Sequence, residues 1–159
     1  MLASGAVRLW VSRAAPAVLV TAVAVSLASS SAVASDGTLG ATLNRWSRTI
    51  AADARSISLA AKQRHPGQMT SSAVRFRRDA LRALAAIAAQ RASSPKGRRG
   101  KSLALRAFSN YALAGSRWAA SSRARVQGRK SAATSLAQRA GRYARRGNRL
   151  LIMAGKLLP

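Results

Sequence analysis

The sequence predicts an all-α fold, an antiparallel four-helix bundle made of two helical hairpins, which follows an N-terminal signal peptide. Four segments carry apolar residues at alternating spacings of three and four, the period of one helical face. Short stretches with Pro or Gly separate these segments, and no segment alternates apolar and polar residues as a half-buried strand would. Helices joined by short loops pack as antiparallel neighbours, so the bundle is the expected architecture.

The first 34 residues are typical of a secretory signal peptide. Two arginines precede an uncharged apolar run over residues 14–28, and Ala32-Val33-Ala34 supplies the small residues of a cleavage site. Cleavage is expected after Ala34, which predicts a secreted or extracytoplasmic chain of residues 35–159 released by the general secretory route. An N-terminal membrane anchor and an organelle transit peptide remain alternatives, although a membrane span needs about 20 apolar residues.

The first hairpin is predicted to contain helices over about residues 38–64 and 71–92. Apolar side chains at helical spacing define the buried face of the first helix: Leu39, Leu43, Trp46, Ile50, Ile57 and Ala60. Pro66 and Gly67 are expected to form the turn, because the residue before a proline is driven out of the α region. The second helix is expected to bury Val74, Leu81, Leu84, Ile87 and Ala88. Phe76 then lies outside this face, between two arginines.

The second hairpin is predicted to contain helices over about residues 102–126 and 131–154. Residues 93–100 hold one proline, two glycines and no large apolar side chain, so they are expected to form a basic linker between the hairpins. The buried stripe of the third helix is small at its centre, around Gly115. Glycine costs about 1 kcal/mol relative to alanine inside a helix, so Gly115 is expected to mark the close approach of a neighbouring helix.

The charge of the chain is its most extreme property. The formal net charge is +25, and the only acids are Asp36, Asp53 and Asp79. From residue 80 onwards there are 18 Lys or Arg and no acid. Such a one-sided field favours polyanionic partners. A nucleotide bias of the genome is the alternative explanation for a composition rich in Arg and Ala.

Basic stripes beside the apolar faces are the candidate anion-binding sites, since guanidinium groups bind phosphate and carboxylate in a bidentate manner. The fourth helix has the strongest amphipathic pattern of the chain. Its candidates are Arg139, Arg142, Arg145, Arg146 and Arg149. The second helix supplies Arg75, Arg78 and Arg82, and the connector region supplies Lys96, Arg98, Arg99 and Lys101.

Catalytic and metal sites are not expected. The chain has no Cys, and its single His65 lies in a Pro-Gly turn without a partner triad. Asp53 is expected to pair with an arginine of a facing helix. Neighbouring arginines are expected to keep both Asp53 and Asp79 ionised, which removes a general acid near neutral pH. The sequence therefore indicates a protein that is not an enzyme and needs no cofactor or metal.

Three functions are compatible with these patterns. The first is non-enzymatic binding of anionic envelope polymers by a secreted cationic protein. The alternatives are a membrane-active protein, whose amphipathic helix inserts into an anionic membrane surface, and a non-specific nucleic-acid binder. Residues 150–153 discriminate the first two, because burial of this apolar segment favours polymer binding and exposure favours membrane insertion.

Overall fold

The computed structural model describes residues 34–158, so the expected signal peptide lies outside the described residues except for Ala34. This part of the chain folds into four helices and has no strand: α1 (Ala34–Lys62), α2 (Pro66–Ala89), α3 (Pro95–Val126) and α4 (Lys130–Gly155). The prediction of an all-α fold with four helices is confirmed. None of the described helices is both long and apolar enough to cross a bilayer.

The helices pack against their neighbours in sequence, with α3 at the centre. α3 contacts α2 and α4 extensively and also touches α1. Because the connections are short, successive helices run antiparallel, and the start of α1 and the end of α4 meet at the start of α3. Asp36 and Leu158 both lie against the first turns of α3 there.

An aromatic cluster fills the space between α2 and α3. Phe76 packs edge-on against Tyr111 and Trp118, with ring centroids 5.8 and 5.5 Å away. The expectation that Phe76 lies outside the buried face of α2 was wrong. The apolar residues that α2 buries are Ala73, Phe76, Ala80, Ala83 and Ile87, and Asp79 is buried beside them. Val74 and Leu81, which were expected inside, are 49% and 44% exposed.

Small residues explain this rotation of α2. Alanines on the buried stripe let α3 approach closely, so contact between backbones, not the largest apolar side chains, selects the face. A Cβ at Gly115 would lie 2.9 Å from the backbone nitrogen of Arg77 and 3.0 Å from the carbonyl oxygen of Ala73. The expected close approach at Gly115 is confirmed.

The junction between the hairpins differs from the expected linker over residues 93–100. Helix α3 begins at Pro95, whose missing N–H is not needed in the first helical turn. The side chain of Ser94 caps this turn and accepts the N–H of Gly97 at 2.8 Å. Gly97 and Gly100 are buried in the helix, where Cβ atoms would collide with Asp36 and Leu158. These glycines mark close contacts of α3 instead of a flexible connector.

The start of α2 was also misplaced, for a related reason. Pro66 and Gly67 are the first residues of the helix and do not form the turn. The turn lies before them, where Arg64 has a positive φ of 57° and His65 precedes the helix. Proline is well suited to a first helical position, so the sequence Pro-Gly was compatible with both assignments.

Candidate anion-binding surface

The arginines expected to bind anions on α2 are paired with the acids of the chain. The Nε of Arg75 donates to Asp53 Oδ1 at 2.7 Å, which confirms the expected pairing of Asp53 with an arginine of a facing helix. Arg78 and Arg82 lie 3.5 and 3.3 Å from Asp79 Oδ1. All three guanidinium groups therefore have an intramolecular counter-charge.

Asp53 does not have the lowered pKa that its arginine neighbour suggested. Burial raises the pKa of Asp53, the Arg75 guanidinium opposes this effect, and the neighbouring Asp79 carboxyl adds to the increase. Its second oxygen, Oδ2, is buried and has no hydrogen-bond partner among the described residues. Burial therefore has a larger effect on the pKa of Asp53 than its arginine neighbour does, and the ionisation of both carboxyls near neutral pH stays a prediction.

Two of the four cations expected near the linker have structural roles. The Nζ of Lys101 donates to the carbonyl oxygens of Ala88 and Gln90, at 2.7 and 2.5 Å, and so caps the C-terminal end of α2. Arg98 donates to the carbonyl oxygen of Ser93 at 2.9 Å. Lys96 and Arg99 are exposed on the first two turns of α3.

Asp36 holds the same junction together from α1. Its carboxylate accepts the N–H groups of Ser93 and Ser94, at 2.9 and 3.3 Å, and the hydroxyl of Ser94 at 2.5 Å. These hydrogen bonds keep the pKa of Asp36 below its usual value, and the bond from the Ser94 hydroxyl has the largest effect. Burial acts in the opposite direction. All three acids of the chain thus have partners within the fold.

A shallow depression between α3 and α4 collects the arginines of the second hairpin. It is lined by Arg117 of α3 and by Arg139, Arg142, Tyr143 and Arg146 of α4, with a volume of about 500 Å³. We call this set of five residues the arginine groove. Among residues 34–158, no carboxylate lies within ion-pairing distance of its four guanidinium groups. The groove is therefore a concave site of uncompensated positive charge.

Tertiary contacts between α3 and α4 fix the shape of the groove. Gly147 packs against Tyr111, and a Cβ there would lie 2.8 Å from the ring. The hydroxyl of Tyr111 donates to Asn148 Oδ1 at 2.5 Å, and the hydroxyl of Ser121 donates to the carbonyl oxygen of Ala133 at 2.7 Å. These contacts place the two helices in a fixed antiparallel register.

Arg117 is the groove residue that the sequence analysis missed. It lies in the middle of α3, outside any basic stripe, and reaches the site only because the helices pair. The position of Arg117 relative to the turn between α3 and α4 could have indicated its place in the groove. Arg117 precedes Gly128 in the turn by eleven residues and Arg139 follows it by eleven, so antiparallel pairing places them opposite each other.

The remaining candidates on α4, Arg145 and Arg149, do not line the groove and are exposed on the same helix. The apolar segment after them is divided. Leu150 and Leu151 are half-buried against the core, whereas Ile152 and Met153 are 39% and 48% exposed. The segment that was expected to discriminate polymer binding from membrane insertion therefore has two half-buried residues and two exposed residues.

Among residues 34–158, the side chains with catalytic or metal-binding chemistry that come together are the carboxyls of Asp53 and Asp79, and both lie beside arginines. His65 is exposed and its side chain makes no capping hydrogen bond. The described chain contains no group of three or more His, Cys, Asp or Glu that could hold a metal ion.

Comparison with family models, with curated proteins and with solved structures found no match to this chain.

Proposed function

We propose that this protein is a secreted, non-enzymatic binder of anionic envelope polymers, which it holds in the arginine groove between α3 and α4. The observation that carries the proposal is the position of Arg117, which adds a guanidinium group from α3 to the three of α4 around one depression. A solvated basic face would need only the stripe along α4. Convergence of cations from two helices on one concave site favours a bound ligand.

The spacing of the arginines favours a polymer over a small anion. Arg139, Arg142 and Arg146 follow one another at three and four residues, which corresponds to steps of about 4.5 and 6 Å along the helix axis. A single phosphate or sulfate contacts one or two of these groups at a time. A chain with regularly spaced negative charges that lies along α4 contacts all of them and releases bound counterions.

Tyr143 adds a polar and aromatic contact in the middle of the groove. Its ring is partly buried against the core, and the residue lines the depression between Arg142 and Arg146. Tyrosine combines an apolar ring face with a hydroxyl, and it suits ligands that carry sugar rings between their charged groups. This supports a carbohydrate-containing or polyol-phosphate polymer as the ligand.

The test compares two double variants that remove the same charge. Arg117→Gln with Arg142→Gln removes one guanidinium group from each side of the groove, while Arg106→Gln with Arg123→Gln removes two exposed arginines of α3 outside it. Binding to heparin and to a poly(glycerol phosphate) is measured by calorimetry at several salt concentrations. We expect the groove variant to bind at least about tenfold more weakly and with a shallower salt dependence, and the control to change by less than about threefold.

Equal losses in the two variants would contradict the proposal, because the protein would then respond only to net charge. Single-stranded DNA of matched charge is the third ligand. If it bound through the groove much more tightly than either polymer, the nucleic-acid function would replace the one proposed.

A further inference from the structure

The C-terminal end of α4 carries a second surface that shares no residue with the arginine groove. Arg145, Arg149, Ile152 and Lys156 follow one another at spacings of four, three and four, so they lie on one face of the helix. Met153 lies beside Ile152, and all five side chains are exposed. We call these five residues the α4 tip.

Within the apolar C-terminal segment, residues 150–158, exposure is confined to two of the apolar side chains. Leu150, Leu151 and Leu157 are half-buried and pack against the core, and Leu158 is buried. The apolar C-terminal segment is thus mostly used by the fold. Only Ile152 and Met153 extend into solvent, at 39% and 48% exposure.

We infer that the α4 tip docks on the surface of a bilayer that contains anionic lipids. Guanidinium and ammonium groups on the tip contact lipid phosphates, and the two apolar side chains between them enter the boundary between headgroups and acyl chains. A soluble polyanion would satisfy the cations but would leave Ile152 and Met153 in water. A bilayer surface contacts the cations and also removes these two apolar side chains from water. This distinguishes the bilayer from the polymer proposed for the groove.

The mode of contact is peripheral and electrostatic in part. None of the helices described here could span a bilayer, so the tip lies on the membrane surface and does not cross it. The absence of acids after Asp79 leaves no charge on α4 that repels an anionic surface. The inference does not depend on the proposed polymer binding, since the residues differ.

A single fluorescent label tests the contact at the site itself. The chain has no Cys, so Met153→Cys in the full chain gives one attachment point for the polarity-sensitive probe NBD. Leu81→Cys on α2, where the native leucine is 44% exposed, is the matched control. With vesicles of phosphatidylglycerol and phosphatidylcholine, we expect a blue shift and protection from iodide at position 153 but not at 81. With vesicles of phosphatidylcholine alone, neither position changes.

A second experiment separates insertion of apolar groups from attraction by charge alone. Ile152→Ser with Met153→Ser keeps every cation, and we expect its affinity for the anionic vesicles to fall at least about tenfold while heparin affinity stays within about twofold. Circular dichroism checks that the helical content is retained. Unchanged vesicle affinity, or a probe response that is equal at positions 153 and 81, would overturn the inference.

Discussion

The close approach of α2 and α3 predicts that one added methyl group at position 115 destabilises the protein. Replacing glycine by alanine within a helix ordinarily stabilises it by about 1 kcal/mol. At Gly115, however, the new Cβ would lie 2.9 Å from the backbone nitrogen of Arg77 and 3.0 Å from the carbonyl oxygen of Ala73. Backbone atoms cannot rotate away, so the helices must separate.

The expected magnitude follows from the two opposing effects. Overpacking of a well-packed contact costs about 1–3 kcal/mol, and a collision with backbone belongs at the upper end of that range. Subtracting the propensity gain, we expect Gly115→Ala to lose about 2 kcal/mol. For a domain of this size the midpoint of thermal unfolding should fall by roughly 6–12 °C.

Gly67→Ala is the matched control, because a Cβ there would meet nothing within 4 Å. It should stabilise the protein by about 0.4–1 kcal/mol through the reduced entropy of the unfolded chain. Urea and thermal unfolding of both variants are followed by far-ultraviolet circular dichroism. The reasoning is refuted if Gly115→Ala is as stable as Gly67→Ala, since the two helices would then have room for the methyl group.

Three further expectations concern charge and one concerns processing. Because the pKa of Asp36 is lowered in the folded protein, its carboxylate stabilises the fold above pH 3.8, the unfolded value, and this stabilisation is lost as pH falls through the lower folded pKa. In urea unfolding, Asp36→Asn should therefore lower the free energy of unfolding by about 1–3 kcal/mol at neutral pH and by little in strong acid. The pKa of Asp53 is raised in the folded protein, so its effect on stability has the opposite pH dependence: the protonated carboxyl favours the fold in acid, and this contribution is lost as pH rises through the folded pKa. In the same assay, Asp53→Asn should therefore leave the free energy of unfolding at neutral pH unchanged or raise it. Heparin at low salt should raise the thermal midpoint more than sulfate of equal charge, and a midpoint indifferent to both would leave compositional bias as the explanation of the charge. N-terminal sequencing of protein from the medium should begin at Ser35, and a chain that starts at Met1 and sediments with membranes would support an anchor instead.

The sequence was sufficient for the parts of the fold where large apolar residues select the buried face. In α1, Leu39, Leu43, Ile50 and Ile57 were expected inside and are buried. It was insufficient for α2, where alanines form the contact and Phe76 fills the space between helices. Side-chain size alone could not predict this, because the close approach of α3 is a property of the pair of helices.

Proline and glycine caused the errors at helix ends. Pro66 and Pro95 each begin a helix, and Gly97 and Gly100 allow contacts of α3 with Asp36 and Leu158. The same residue types form turns and linkers elsewhere, so local sequence does not distinguish the two uses. Only the partner on the other side of the contact does.

The candidate site was predictable to the extent that it lies on one helix. The stripe with Arg139, Arg142 and Arg146 was visible from its spacing, whereas Arg117 required knowledge of the register between α3 and α4. The sequence predicted that Asp53 pairs with an arginine of a facing helix, but it did not identify that arginine as Arg75. Arg78 and Arg82 pair with Asp79 of the same helix, so only the pair of Arg75 with Asp53 depends on how α2 faces α1.

The positions of the three acids connect the fold with the proposed functions. Asp36, Asp53 and Asp79 all lie on the first hairpin, where each makes hydrogen bonds or ion pairs with other residues of the fold. The second hairpin has no acid, so its cations repel one another when α3 and α4 come together. An anionic ligand that binds this folded array more tightly than the unfolded chain relieves the repulsion and stabilises the fold by mass action. We therefore expect the half of the protein that carries the arginine groove and the α4 tip to be the half whose stability responds most to anions supplied from outside the chain.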